Sequence, residues 1–139
     1  MTYADADVVS ELAKEVIANT DKNATPTIEK AIRHAEIKIN GKLRRAKIPI
    51  PTIHNRESIT DKDPLNNLLE AGDLYAAAFV FSTYYSGSDY TSPAVKDYRA
   101  DADELVDTYI EIILEGYNQE DPDNPTDVKI PVGSLVRRY

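Results

Sequence analysis

From Leu74 to Phe81 every residue is apolar. That run is far short of the about 20 apolar residues a bilayer span needs, so it predicts a helix buried on more than one side. Leu65, Leu68, Leu69, Gly72, Ala76, Phe79 and Val80 carry one inner face along it at helical spacing. Asp63-Pro64 precedes it, an aspartate suited to capping and a proline suited to the first turn. Gly72 and Ala76 to Ala78 present little bulk and invite close approach by a neighbouring helix. Such a helix is the centre of a domain, and the rest of the chain must cover it.

Three further helices are predicted to do so. Val8, Val9, Leu12, Ala13, Val16 and Ile17 recur on one face of a first helix running from about Asp5 or Asp7 to Asn19. Thr25, Pro26 and Glu29 open a second, whose stripe is Ile28, Ile32, Ala35, Ile39 and Leu43. Ser92-Pro93 opens the last, with Val95, Tyr98, Ala102, Leu105, Val106, Tyr109, Ile110, Ile113 and Leu114 on one side and Gly116 as its stop. The fold expected is all-α: a four-helix, bundle-like domain over residues 1–116.

Two segments break this pattern. Ile48-Pro49-Ile50-Pro51 must be extended, since each proline disfavours helix in the residue before it. It begins a long loop to Lys62, with Ile48, Ile50 and Ile53 expected against the bundle. Residues 117–139 read as a linker and an extended C-terminal arm. The linker, Asp121 to Asp127, is proline-rich and acidic. Val128, Ile130 and Val132 then alternate as in a half-buried strand, and Leu135, Val136, Arg137, Arg138 and Tyr139 finish the chain. An apolar tail is costly to leave in water, so these residues either fold back on their own bundle or bind a partner, by adding a strand or by filling a groove, and they are the candidates for a partner-binding arm.

Charge is unevenly spread over the net −8. Residues 26–56 hold eight basic and two acidic side chains, whereas residues 89–127 hold two basic and twelve acidic ones. Lys30, Arg33, Lys38, Lys42, Arg44 and Arg45 make the second helix basic; Asp101, Glu104, Asp107 and Glu111 lie on the acidic side of the last. A dipolar chain of this kind attracts copies of itself or a complementary partner. The basic helix has no interleaved aromatics for stacking on bases, and the acidic whole would repel a phosphate backbone.

The sequence offers little for catalysis. It has no cysteine, which excludes disulfides, thiolate nucleophiles and Cys-based metal sites. His34 and His54 lack partners at metal-ligand spacing and read as surface or packing residues. The Asp-x-Asp pairs (Asp5/Asp7, Asp101/Asp103, Asp121/Asp123) do not extend into calcium loops, no glycine-rich phosphate loop occurs, and the serines form no nucleophile elbow. The expectation is a non-enzymatic protein without catalytic residues, metal or cofactor. The acidic N-terminus has no secretory character, which points to a cell interior.

The order of elements is familiar. Tyr3-Ala4-Asp5 leads into the first helix, and the second has the form Ala31-x-x-x-Ala35-x-x-x-Ile39-x-x-x-Leu43. Ile48-Pro49-Ile50-Pro51 follows it, then an alanine-rich third helix and a long last helix ending in Glu115-Gly116. Over residues 3–116 the chain resembles the head–tail connector (adaptor, or head-completion) proteins of tailed viruses and prophages. The resemblance implies a structural protein of the virion neck, made in the host cytoplasm and assembled as a ring of 12 copies. Its partners would be the portal, reached by the C-terminal arm, a stopper or tail protein, and genomic DNA passing through the lumen without sequence-specific binding; no membrane is implied. The charged residues of the second and last helices would then lie between subunits or along the lumen. The competing expectation is a small helical binding or regulatory module whose tail docks on an unrelated protein.

Overall fold

A computed structural model describes residues 3–14, 25–53, 55–84 and 93–118. Among them the chain is all-α, with α1 (Ala6–Leu12), α2 (Thr25–Arg45), α3 (Leu65–Tyr84) and α4 (Pro93–Asn118), plus a 3-10 turn at Arg56–Ser58. No strand occurs among the described residues. Residues 119–139 of the expected linker and arm lie outside them, as do residues 15–24, which include the expected end of the first helix.

The central helix is α3. Asp63 caps it by accepting from the Leu65 amide at 2.9 Å. Leu68, Leu69, Ala71, Tyr75, Ala76, Ala77, Ala78, Val80 and Phe81 are all buried, so α3 is covered nearly all round. Helices α2 and α4 both pack along it, and α1 touches α3 and α2. Burying a side chain such as Leu68 contributes about 1.5–3 kcal/mol, and the small residues let its neighbours come close.

The faces follow the apolar spacing. On α2 the buried residues are Ile28, Ala31, Ala35, Ile39 and Leu43, with Ile32 at the margin. On α4 they are Val95, Ala102, Val106, Tyr109, Ile110 and Leu114. On α1 Val9 is buried, as is Ala13 at its C-cap, whereas Val8 is exposed: it lies one step round the helix from Val9, outside the narrow face so short a helix presents.

Three further expectations are corrected. The last helix does not stop at Gly116 but continues to Asn118, because a glycine costs a helix only about 1 kcal/mol relative to alanine. Ile48 and Ile53 are buried, but Ile50 is exposed; the Ile48 amide is tied to the Leu43 carbonyl at the end of α2, whereas Ile50 stands between two prolines that have no amide N–H to anchor the segment. The small surface at Gly72 receives an N-terminal segment rather than a helix: a Cβ there would stand 2.7 Å from Tyr3 Cβ and 2.9 Å from the Tyr3 carbonyl carbon.

The end of α2 is set by an unexpected residue. Lys47 adopts φ 64°, its amide donates to the Arg44 carbonyl, and the Ile48 amide donates to the Leu43 carbonyl. This is a Schellman cap with lysine where glycine is usual, accompanied by the apolar contact of the motif, since Leu43 and Ile48 are both buried.

Candidate functional site: two charged faces and the polar seam between α2 and α4

Helical spacing places Lys38 and Lys42 one turn apart on one flank of α2, and Asp103 and Asp107 one turn apart on the facing flank of α4. Lys42 Nζ lies 3.4 Å from Asp103 Oδ1 and 3.3 Å from Asp107 Oδ1. Beneath them the hydroxyl of Tyr75, a buried residue of α3, donates to Asp103. Lys38 Nζ sits 5.0 Å from the centre of the Tyr75 ring, a cation over a π-face.

Burial, and then donation to Asp103, raise the Tyr75 pKa well above that of an ordinary tyrosine. Burial works against the ionised Asp103, but the Tyr75 hydroxyl, Lys42 and Lys38 outweigh it and hold its carboxyl below the usual range. The seam therefore joins three helices through one ionised carboxylate.

A second polar knot lies on the other part of α3. Asp73 is 5% exposed. Its Oδ2 receives Arg56 Nη2 at 2.5 Å and its Oδ1 receives the Asp5 amide at 2.9 Å. Arg56 Nη1 donates to the Tyr3 carbonyl at 2.5 Å, and the Tyr3 hydroxyl donates to Asn40 Oδ1 at 2.6 Å. Burial raises the Asp73 pKa even though the Asp5 amide and Arg56 pull it down. Burial, with Tyr109 and Glu36 adding to it, pushes the Tyr3 hydroxyl up to about 12. The Asn55 side chain, by accepting from the Glu57 amide, forms the turn that aims Arg56.

The remaining charge points outward. Lys30, Arg33, Arg44 and Arg45 are exposed on α2; Asp101, Glu104 and Glu111 are exposed on α4. Lys38 and Lys42 are half-buried in the seam, and Asp107, though exposed, faces Lys42 within the same chain. Among the charged helix residues singled out from sequence, then, the fold brings Lys38, Lys42 and Asp107 together, sets Arg45 and Glu111 along the same concavity between α2 and α4, and leaves Lys30, Arg33, Arg44, Asp101 and Glu104 on two surfaces.

His34 packs against Phe79, ring centres 4.9 Å apart, and burial, then Lys38 and Arg99, lower its pKa. His54 and the arm residues Val128, Ile130, Val132, Leu135, Val136, Arg137, Arg138 and Tyr139 lie outside the described residues. Arg56, Asp73 and Tyr75 carry the two polar knots and were not singled out from sequence. One signal pointed to the second knot: Asp73 directly precedes the apolar run Leu74 to Phe81, and a buried carboxylate needs a cation or several donors.

Among the described residues no group of three or more histidines, aspartates or glutamates is arranged to hold a metal ion, and no helix is long and apolar enough to cross a membrane. The polar knots hold helices together, while the charged faces are exposed. No protein-family model matches the chain, and neither does any curated protein or solved structure.

Proposed function

We propose that this protein is a structural subunit that assembles with copies of itself, and that it serves as a ring-forming adaptor in the neck of a tailed virus, joining the portal to the tail or its stopper. The observation that carries the assembly reading is the pair of oppositely charged exposed faces on one small helical domain, a basic one on α2 and an acidic one on α4. Complementary faces on a single chain favour association with further copies.

The placement in a virion neck rests on the resemblance over residues 3–116. The stretches that carry it have clear structural roles here. Tyr3-Ala4-Asp5 seals against Gly72 and Asp73, and Ile48 closes the cap of α2. A subunit braced in this way is a rigid unit for a ring, in which many modest contacts sum through effective concentration. The arm, which begins past α4 at residue 119, is the proposed portal grip, and its acidic linker favours reach over collapse before docking.

A test is to remove residues 119–139 and ask for two properties separately, assembly and co-sedimentation with the portal protein of the same virus. The shortened chain is expected to assemble as before and to lose the portal. Unimpaired portal binding would sink the role of the arm.

A further inference from the structure

On α2, Lys30, Arg33, Ile37 and Arg44 recur at helical spacing and form a stripe directly across the helix from the buried face, with Arg45 beside it. The two carboxylates of α2, Glu29 and Glu36, fall off this stripe. Ile37 lies in its middle and is 65% exposed, the most exposed large apolar side chain among the described residues. On α4, Asp97, Asp101, Glu104, Glu111 and Glu115 form the corresponding stripe, again across from the core, and Ile112 borders it at 39% exposed. At about 1.5 Å per residue the stripes run roughly 21 and 27 Å, so the basic one fits within the length of the acidic one. Both point away from the core they share; only at their edges, where Arg45 and Glu111 line one concavity between α2 and α4, do they come near each other within one chain. Where α2 and α4 do come within reach, they pair, as Lys42 does with Asp103 and Asp107.

We infer that the occupant of the α2 stripe is the α4 stripe of a second copy of this chain. In this contact Lys30, Arg33 and Arg44 lie along Asp101, Glu104 and Glu111, and Ile37 is the apolar centre excluded from water. The inference rests on the self-assembly proposed above and adds the geometry of the contact. Two α2 stripes repel each other, as do two α4 stripes, so a two-fold pairing of like faces is disfavoured. The contact is head-to-tail: every copy offers one basic and one acidic face, and the series ends only by closing on itself.

The test is a charge swap in the full chain, at exposed positions where the fold has little to lose. One variant carries Arg33→Glu and Arg44→Glu, and the other carries Glu104→Lys and Glu111→Lys. Circular dichroism confirms that each is folded, and sedimentation velocity reads assembly. Each variant alone is expected to remain monomeric where the unaltered chain assembles. Their equimolar mixture, and a chain carrying all four changes, are expected to assemble again. Assembly of either variant alone at the unaltered level, or a mixture that stays monomeric, overturns the inference; the α2 stripe would then face a lumen or another partner.

Salt supplies a measurement that needs no variant. Raising it from about 0.1 to 1 M shortens the screening length from about 10 to 3 Å and should shift the unaltered chain toward monomer by at least tenfold in apparent dissociation constant. A salt-insensitive assembly also overturns the inference. Should the unaltered chain fail to assemble at any salt, the function proposed above falls with it, whereas assembly indifferent to the swaps removes only the head-to-tail contact.

Discussion

The guanidinium of Arg56 bridges Asp73 and the carbonyl of Tyr3, 2.5 Å from each. One side chain from an irregular loop thus ties the N-terminal segment to the central helix. Asp73 is buried, and a carboxylate there is tolerable only while its cation and the Asp5 amide remain in place.

Removing that cation should be costly. Arg56→Ala leaves a buried carboxylate without its partner, and breaking such a pair costs about 3 kcal/mol or more. Urea unfolding at neutral pH reads the loss directly. A loss below about 1 kcal/mol, the range of exposed ion pairs, would show that the bridge is a surface decoration. Replacing both members, Arg56→Met with Asp73→Leu, should recover much of the stability.

Two glycines in helices should respond in opposite directions. At Gly41 nothing lies within 4 Å of an added Cβ, so Gly41→Ala should stabilise α2 by up to about 1 kcal/mol. At Gly72 the same methyl meets Tyr3 Cβ and the Tyr3 backbone. Displacing that segment costs about 1–3 kcal/mol, enough to cancel or exceed the helix-propensity gain. Thermal unfolding of the pair checks the contrast, and a Gly72→Ala variant as stabilised as Gly41→Ala would contradict the close approach.

The seam gives a pH signature. The Asp103 carboxyl is held below its ordinary value, so its contribution is present above the unfolded pKa of about 3.9 and is lost as pH falls through the lower folded value. Asp73, raised by burial, acts in the opposite sense: its contribution is present below the unfolded value and is lost as pH rises through the folded one. Asp103→Asn should therefore be less stable than the unaltered chain at neutral pH, with the gap narrowing toward about pH 3. Tyr75→Phe removes the hydroxyl that donates to Asp103 and should cost about 1–2 kcal/mol. The double variant should lose less than the sum, because the two share one bond. A gap constant with pH, or full additivity, would argue against the coupling.

These residues mark where sequence reading ended. Helices α2, α3 and α4 were legible because apolar spacing and proline starts are local properties, and Leu74 to Phe81 announced a central element by composition alone. The exposed charges of α2 and α4 were legible for the same reason. Which charges are consumed inside the chain was not: Lys42 meets Asp103 and Asp107 only because α2 and α4 converge there beside α3. Arg56 and Asp73 likewise meet through tertiary approach, and no spacing rule links them. The cap of α2 was hidden because lysine, not glycine, holds its left-handed position, and Gly116 misled because a glycine near a helix end need not terminate it.

The measurement closest to the centre is the size and symmetry of the full chain in solution, by light scattering with negative-stain imaging at low salt. A closed ring of many copies with a central opening, twelve by the family resemblance, is expected. A single-chain particle of 15.5 kDa at every concentration, with and without the portal protein, would contradict self-assembly and with it the adaptor.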